Sequence, residues 1–270
     1  MGTRERGGWR VHGVSVEGYR HRRDGVPCQD AWSCATDGPL TVLAVADGAG
    51  SRPRSDEGAR LAVDLAVEQF GRLPAEGAEG PAVHRLLRQA FDRVADAFLD
   101  RTGEAADDFA ATLTVVVLGP AWLGHCSVGD GFVVLRAGTA DGERQFHLLP
   151  QPEAVSEYSN ETVFLTSPDA ARRVRTDCVR DDGVDGVLLS TDGLAQAALS
   201  RAGGAGQAPN ESFAAAVLRS LDAEPMTAYE EDERLAALLR SDRLTALNGD
   251  DKTLLRAVRP ARTDRTGGER

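Results

Sequence analysis

The chain has 270 residues, 41% hydrophobic and 27% charged, which is enough apolar material for one sizeable core. A net charge of −11 and a pI near 5.0 argue against a nucleic-acid partner or an acidic membrane surface. Four cysteines without C-x-x-C spacing exclude a disulfide framework, and no apolar run suits a signal or membrane span, so the expected setting is cytoplasmic.

No Pro/Ser-rich linker divides the chain, which predicts a tail over 1–8, one domain over 9–258 and a second tail over 259–270. Trp9 to Gly18 alternates loosely and predicts a strand with a bulge at Gly13. Arg20 to Gly25 reads as a basic turn, and Val26 to Thr36 holds a second strand with Asp30 at its start. The apolar run Thr41 to Asp47 predicts a buried strand that delivers one carboxylate at its tip, followed by Gly48-Ala49-Gly50-Ser51. Ser55 is the expected N-cap of a helix whose stripe is Ala59, Ala62, Val63, Ala66, Val67 and Phe70. Pro81 opens a second helix, with the stripe Val83, Leu86, Leu87, Ala90, Phe91, Val94, Ala97 and Phe98. Both stripes are one-sided, so each helix should cover a sheet.

Phe109 to Leu118, Trp122 to Val128 and Phe132 to Arg136 predict three strands of an antiparallel meander, turning at Gly119-Pro120 and Gly129-Asp130-Gly131. Gln145 to Leu149, Thr162 to Thr166, Val174 to Val179 and Val187 to Ser190 continue the β pattern. Helical spacing returns over Gly193 to Leu199, Phe213 to Leu221 (capped by Asn210) and Glu231 to Leu239, with Ala202 to Pro209 as a loop. Thr253 to Val258 closes the chain as a strand. The order of elements predicts an α+β fold in which helices cover packed antiparallel sheets; the crossover rhythm of a dinucleotide-binding fold is absent.

Four carboxylates sit at strand boundaries: Asp30, Asp47, Asp192 and Asp250. Strands lying side by side would bring them to one edge, and like charges crowded there are costly unless cations neutralise them. The glycines let the backbone come close enough for the Gly48 carbonyl to act as a ligand. An all-oxygen cluster suits Mg²⁺ or Mn²⁺ and disfavours zinc. The five histidines form no H-E-x-x-H pattern, and there is neither a Walker loop nor a G-x-S-x-G elbow. Taken singly, a strand followed by Asp-Gly is also an ordinary strand-to-helix turn.

Cys28-Gln29-Asp30-Ala31, Val45-Ala46-Asp47-Gly48-Ala49-Gly50, Ala111-Thr112-Leu113-Thr114, Ser127-Val128-Gly129-Asp130-Gly131, Leu189-Ser190-Thr191-Asp192-Gly193-Leu194 and Asp250-Asp251-Lys252-Thr253 occur in that order. The set resembles the successive motifs of the metal-dependent type-2C (PPM) serine/threonine protein phosphatases, in the form of a bacterial stand-alone catalytic domain, over roughly Trp9 to Val258. The resemblance implies a four-layer α/β/β/α sandwich of two antiparallel sheets flanked by helices. It implies hydrolysis of phosphoserine or phosphothreonine by a water activated between two Mg²⁺ or Mn²⁺ ions ~3.5–4 Å apart, without a phosphoenzyme. Asp47 would bridge the ions, Asp192 and Asp250 would complete one ion's shell, the Gly48 carbonyl would bind the other, and Asp30 would hold a metal-bound water. The implied partner is a phosphorylated protein, opposing a serine/threonine kinase; oligomeric state stays open.

The chain also departs from the family pattern. Gln29 stands where the family often has Glu, and is a candidate metal contact through water. Ala49 replaces the His that in many members protonates the leaving oxygen, which makes His21 the candidate proton donor. The phosphate-binding Arg falls on Gly25, leaving Arg23 and then Arg22 as candidates. Asp251 replaces a frequent Asn, with a water-mediated metal contact as its functional reading. Asp130 would serve a third metal position, whose usual second acid is Gln196 here. Gln29 and Ala49 also suit a non-catalytic binding module of the same fold, and a phosphatase of small phosphorylated metabolites would share the chemistry.

Overall fold

Consecutive residues of Thr41–Asp47 are buried in two different cores, and this double burial places the strand in the middle of the molecule. The computed structural model describes residues 4–6, 8–76, 80–120, 122–138, 143–150, 162–180, 183–201, 207–223 and 226–259. In chain order the elements are β1 (Arg4–Arg6), β2 (Trp9–Val16), α1 (Tyr19–Asp24), β3 (Asp30–Ala35), β4 (Thr41–Asp47), α2 (Ser55–Phe70) and α3 (Gly80–Thr102). Then come β5 (Leu113–Leu118), β6 (Leu123–Val128), β7 (Phe132–Gly138), β8 (Arg144–Leu148), α4 (Ala170–Arg173), β9 (Arg175–Val179) and β10 (Val184–Ser190). The chain continues with α5 (Ala195–Ala198), β11 (Leu199–Arg201), β12 (Gln207–Pro209), α6 (Glu211–Asp222), α7 (Ala228–Leu239), α8 (Asp242–Leu247) and β13 (Lys252–Val258).

The strands form a six-stranded sheet in the order β1-β2-β13-β10-β7-β8, a five-stranded sheet in the order β3-β4-β5-β6-β9, and a ribbon of β11 and β12; the neighbours pair antiparallel. Val42, Ala44 and Ala46 pack with Val63, Phe91 and Phe98 from α2 and α3. Leu43 and Val45 point the other way, into a core shared with Val11, Leu135, Leu189 and Leu255 of the six-stranded sheet. The outer face of that sheet buries Val134, Leu188 and Leu254 against Val217, Leu235 and Leu239 of α6 and α7. Three apolar interfaces thus separate four layers, α/β/β/α, as the sequence led us to expect. Each fully buried Leu or Val adds about 1.5–3 kcal/mol. Among the described residues no helix is long and apolar enough to cross a membrane.

Local chemistry explains several helix boundaries. Asn210 caps α6, its side chain accepting the Phe213 N–H (3.3 Å). Thr227 and Glu230 form a reciprocal capping box at the start of α7. Ser55 is not a cap: it is the first residue of α2, fully buried, and its hydroxyl donates to the Arg52 carbonyl (3.2 Å). Cys34 and Cys126 are buried as small apolar groups.

Other expectations need correction. Arg20 to Gly25 is mostly helix α1 rather than a turn. Arg4–Arg6, within the expected N-terminal tail, pairs with β2. Residues 202–206 and 260–270 lie outside the described residues, and Gln207–Pro209 is a strand rather than loop. Thr162 to Thr166 is not a strand; the Phe164 N–H donates to the Ser167 hydroxyl (3.0 Å), a local bond that competes with a ladder. The three-strand meander also fails. β6 pairs with β5 and β9, whereas β7 pairs with β10 and β8, so the Gly129-Asp130-Gly131 turn carries the chain from one sheet to the other.

Gly13 makes no bulge, since β2 runs in unbroken register with β13. A Cβ there would lie 2.8 Å from Leu255 Cδ1 and 2.9 Å from Trp32 Cδ2, so the residue is small because the two sheets meet on it. Gly13→Ala should therefore cost about 1–3 kcal/mol by urea unfolding. A change within about 0.5 kcal/mol would contradict this packing.

Candidate active site

Strand register assembles the cleft. Asp30 opens β3 directly opposite Asp47, the last residue of β4. β10 and β13 are neighbours with Ser190 opposite Leu254, so Asp192 just after one strand and Asp250 just before the other reach the same end of the sheet. The turn between β6 and β7 contributes Asp130. Together Asp47, Asp130, Asp192 and Asp250, with His21, Gln29, Gly48, Ala49, Asp251, Thr162 and Phe164, line a cleft of about 180 Å³. Asp47, Asp130 and Asp192 each offer an oxygen, and these atoms lie within 4.8 Å of one another. Asp250 stands exposed on the rim. Gly48 is small of necessity, because a Cβ would come to 2.6 Å from the Ser55 carbonyl oxygen; its N–H donates to the Gln29 carbonyl (3.0 Å).

The electrostatics follow from crowding. Burial, above all, raises the pKa of Asp30, and nearby Asp251 adds to it, while the Thr191 hydroxyl donates to Asp30 Oδ2 (2.7 Å) and opposes the shift. Asp47 is raised well above the ordinary carboxylate range by burial and then by Asp30 and Asp192. Burial, with Asp130 and Asp250 nearby, raises Asp192 to about 6. Thr112 steadies the tip of β4, its hydroxyl accepting the Asp47 N–H (2.9 Å). Gln29 Oε1 and Asp130 Oδ1 are buried acceptors without a hydrogen-bond donor among the described residues. Converging carboxylates, raised pKa values and spare acceptor oxygens are what a hard divalent cation satisfies, so the residues fit Mg²⁺ or Mn²⁺.

The structure brings Asp30, Asp47, Asp192, Asp250, Asp251, Gly48, Gln29, Asp130 and His21 to one place and leaves Arg22 and Arg23 outside it. Asp251 is 4% exposed, and its carboxylate accepts the N–H groups of Gly18 (2.7 Å) and Gln29 (2.6 Å) and pairs with His21 Nδ1 (2.8 Å). These three contacts tie down the segment around α1. Arg23 and Arg22 are corrected as phosphate ligands. Arg23 is exposed and holds Asp24 through two hydrogen bonds (2.7 and 2.9 Å), Arg22 donates to the Glu17 carbonyl (3.1 Å), and neither lines the cleft. Asp130, expected only at a third position, belongs to the tightest acidic triplet. Sequence reasoning assigned no role to Thr191, Thr112 or Thr162, whose hydroxyl donates to Asp130 Oδ2 (3.0 Å). The one available signal was a hydroxyl residue directly before Asp192.

Residues 17–240 match the family model described as Protein phosphatase 2C. The chain belongs to the protein phosphatase 2C family. The match contains Asp30, Asp47, Asp130 and Asp192 and stops short of Asp250. The chain is 30% identical over 266 residues to Serine/threonine-protein phosphatase 3 of Escherichia coli (strain K12), covering 93% of this chain and 98% of that protein. Among solved structures it is similar to serine-threonine phosphatase 2C from Toxoplasma gondii, with TM-score 0.64, 14% identity and coverage of 96% and 97% of the two chains. It is also similar to the catalytic domain of the serine/threonine protein phosphatase PstP in complex with 2 manganese ions, with TM-score 0.59, 19% identity and coverage of 93% and 97%. These structural likenesses establish the fold.

The raised pKa values set a sign for the effect of pH. The fold favours protonated Asp30, Asp47 and Asp192, so their contribution to metal-free stability is present below the usual carboxylate range. It is lost as pH rises through the raised values, about 6 for Asp192 and about 7 for Asp30, with Asp47 also raised well above the ordinary carboxylate range. A divalent cation binds the ionised form, so the increase in Tm on adding Mn²⁺, relative to EDTA, should grow from about pH 5 to about pH 8. A Tm increase that stays flat across this range would contradict the assignment.

Proposed function

We propose that the protein is a metal-dependent phosphatase that removes phosphate from phosphoserine or phosphothreonine in proteins, opposing a serine/threonine kinase. The observation that carries this reading is the convergence of Asp47, Asp130 and Asp192 within 4.8 Å, with Asp30 behind them and Asp250 on the rim of the same cleft. In this reading Asp47, Asp192, Asp130, Asp250 and the Gly48 carbonyl hold two Mg²⁺ or Mn²⁺ ions, and Gln29 contributes its spare acceptor through water. When bound, the ions acidify water and offset negative charge on the phosphoryl oxygens.

The protein's own groups supply position and protons. Thr191 fixes Asp30, which is thereby aimed rather than free to rotate. Ala49 presents only a methyl group to the cleft, so the proton for the leaving alkoxide comes from His21 in this reading. Asp251 occupies Nδ1 of His21, which leaves Nε2 as the nitrogen available to substrate. Among the described lining residues no Arg or Lys reaches the cleft, so His21 is also the lining side chain able to carry positive charge toward a phosphate.

The purified protein should hydrolyse an aryl phosphate and a phosphothreonine peptide with Mn²⁺ or Mg²⁺, and EDTA should abolish both activities. Inactivity under every metal condition would leave the non-catalytic module as the better reading. Asp192→Asn should lower kcat by roughly 10²–10³-fold with the fold retained by circular dichroism. His21→Gln should cost about 10²-fold on the phosphothreonine peptide yet little on nitrophenyl phosphate, whose leaving group needs no proton. Equal losses on both substrates would remove His21 from the donor role.

A further inference from the structure

A second cavity, of about 850 Å³, opens in the helical layer on the outer face of the six-stranded sheet. α6 packs over β13 and α7 over β2, and the space between them extends to α8. Its size falls in the range of about 300–1,000 Å³ that holds small organic ligands. Val217, Leu235 and Leu244 make its wall apolar, and Leu238 and Leu247 stand exposed at its mouth. It shares no lining residue with the acidic cleft.

One polar group in the lining is incompletely satisfied. Arg256 of β13 is 3% exposed. Its Nη1 donates to the Val217 carbonyl (2.9 Å) and to the Ser220 hydroxyl, and its Nη2 donates to His12 Nδ1 (3.2 Å). Its Nε is buried with no partner among the described residues. A charged donor left unpaired in an apolar setting is costly, which makes it a ready point of attachment for an acceptor oxygen. Burial holds the Arg256 pKa down to about 10, in keeping with incomplete compensation of its charge.

The charge of the lining selects the ligand. In a chain of net charge −11, this cavity is lined by Arg234, Arg243 and Arg256 against one acid, Glu231, which is already bound by Arg10. Nη1 of Arg256 has given both of its N–H groups and Nη2 one of its two, so the Nε N–H and one Nη2 N–H remain. Two donors on one guanidinium suit a single carboxylate better than a phosphate dianion, which needs several donors to be buried. We propose that the cavity between α6, α7 and α8 is a second binding site, for a small carboxylic acid with an apolar body. The acid lies against Arg256 Nε, the apolar body lies along Val217 and Leu235, and Arg234 and Arg243 attract the anion to the mouth. α5 begins three residues after Asp192 and contributes Gln196 and Ala197 to the lining, so the site lies behind the acidic cleft without depending on its chemistry.

The test is calorimetric titration of the full Mg²⁺-loaded protein with biphenyl-4-carboxylate, biphenyl-4-methanol and biphenyl-4-methylammonium, which share an apolar body and differ in charge. The carboxylate should bind saturably at one site per chain, with the alcohol and the cation at least about tenfold weaker. Arg256→Met should weaken the carboxylate by a similar factor. If that variant does not fold, Ala216→Trp serves instead: Ala216 is an exposed lining residue of α6, and the larger ring should block entry while phosphatase activity is unchanged. No saturable binding, equal binding of the three probes, or undiminished binding to Ala216→Trp would overturn the proposal.

Discussion

Asp30 and Asp47 face each other across an antiparallel strand pair at the buried end of a sheet. Like charges directly opposite in such a pair are destabilising, and burial makes the repulsion worse. Among the described residues no lysine or arginine lines the cleft to relieve it; instead Asp192 and Asp130 come into the same space. The cluster is tolerable with protons or with divalent cations, and near neutral pH the cation is the better solution. Stability, metal binding and the proposed hydrolysis therefore rest on one arrangement of backbone. The surrounding hydroxyls of Thr191, Thr112 and Thr162 orient this arrangement and leave its negative charge in place.

Asp251 plays a different part from its neighbour Asp250, although the two are adjacent in sequence. Consecutive residues approaching a strand point in opposite directions, so Asp250 reaches the rim while Asp251 turns inward to the Gly18 and Gln29 N–H groups. That inward carboxylate fastens the α1 segment to the start of β13 and orients the His21 ring. One side of the cleft is therefore built from residues some 230 positions away in sequence, held by charge-assisted hydrogen bonds.

The four layers divide the labour. The five-stranded sheet packs a large apolar core against α2 and α3, and its strands deliver Asp30 and Asp47 at one end. The helical layer over the six-stranded sheet is packed less completely. Arg10 and Glu231 form a buried ion pair there, Arg256 is only partly satisfied, and an apolar cavity remains beside them. A layer that keeps buried charge next to open apolar space sacrifices packing energy for polar groups that can meet a ligand.

The sequence by itself determined the local elements and their chemical inventory. The one-sided stripes of α2 and α3, the doubly apolar run of β4, the cap of α6 and the carboxylates at strand tips are short-range signals carried by residue type and spacing. Only the tertiary structure decided which strands share a sheet, because the alternation of β7 is the same whether it continues a meander or crosses to the other sheet. It likewise decided that Gly13 is small to admit Trp32, that Arg23 is held by Asp24 outside the cleft, and that Asp251 is an anchor. A side chain's role depends on which distant donors meet it after the sheets stack, and no periodicity along the chain records those meetings.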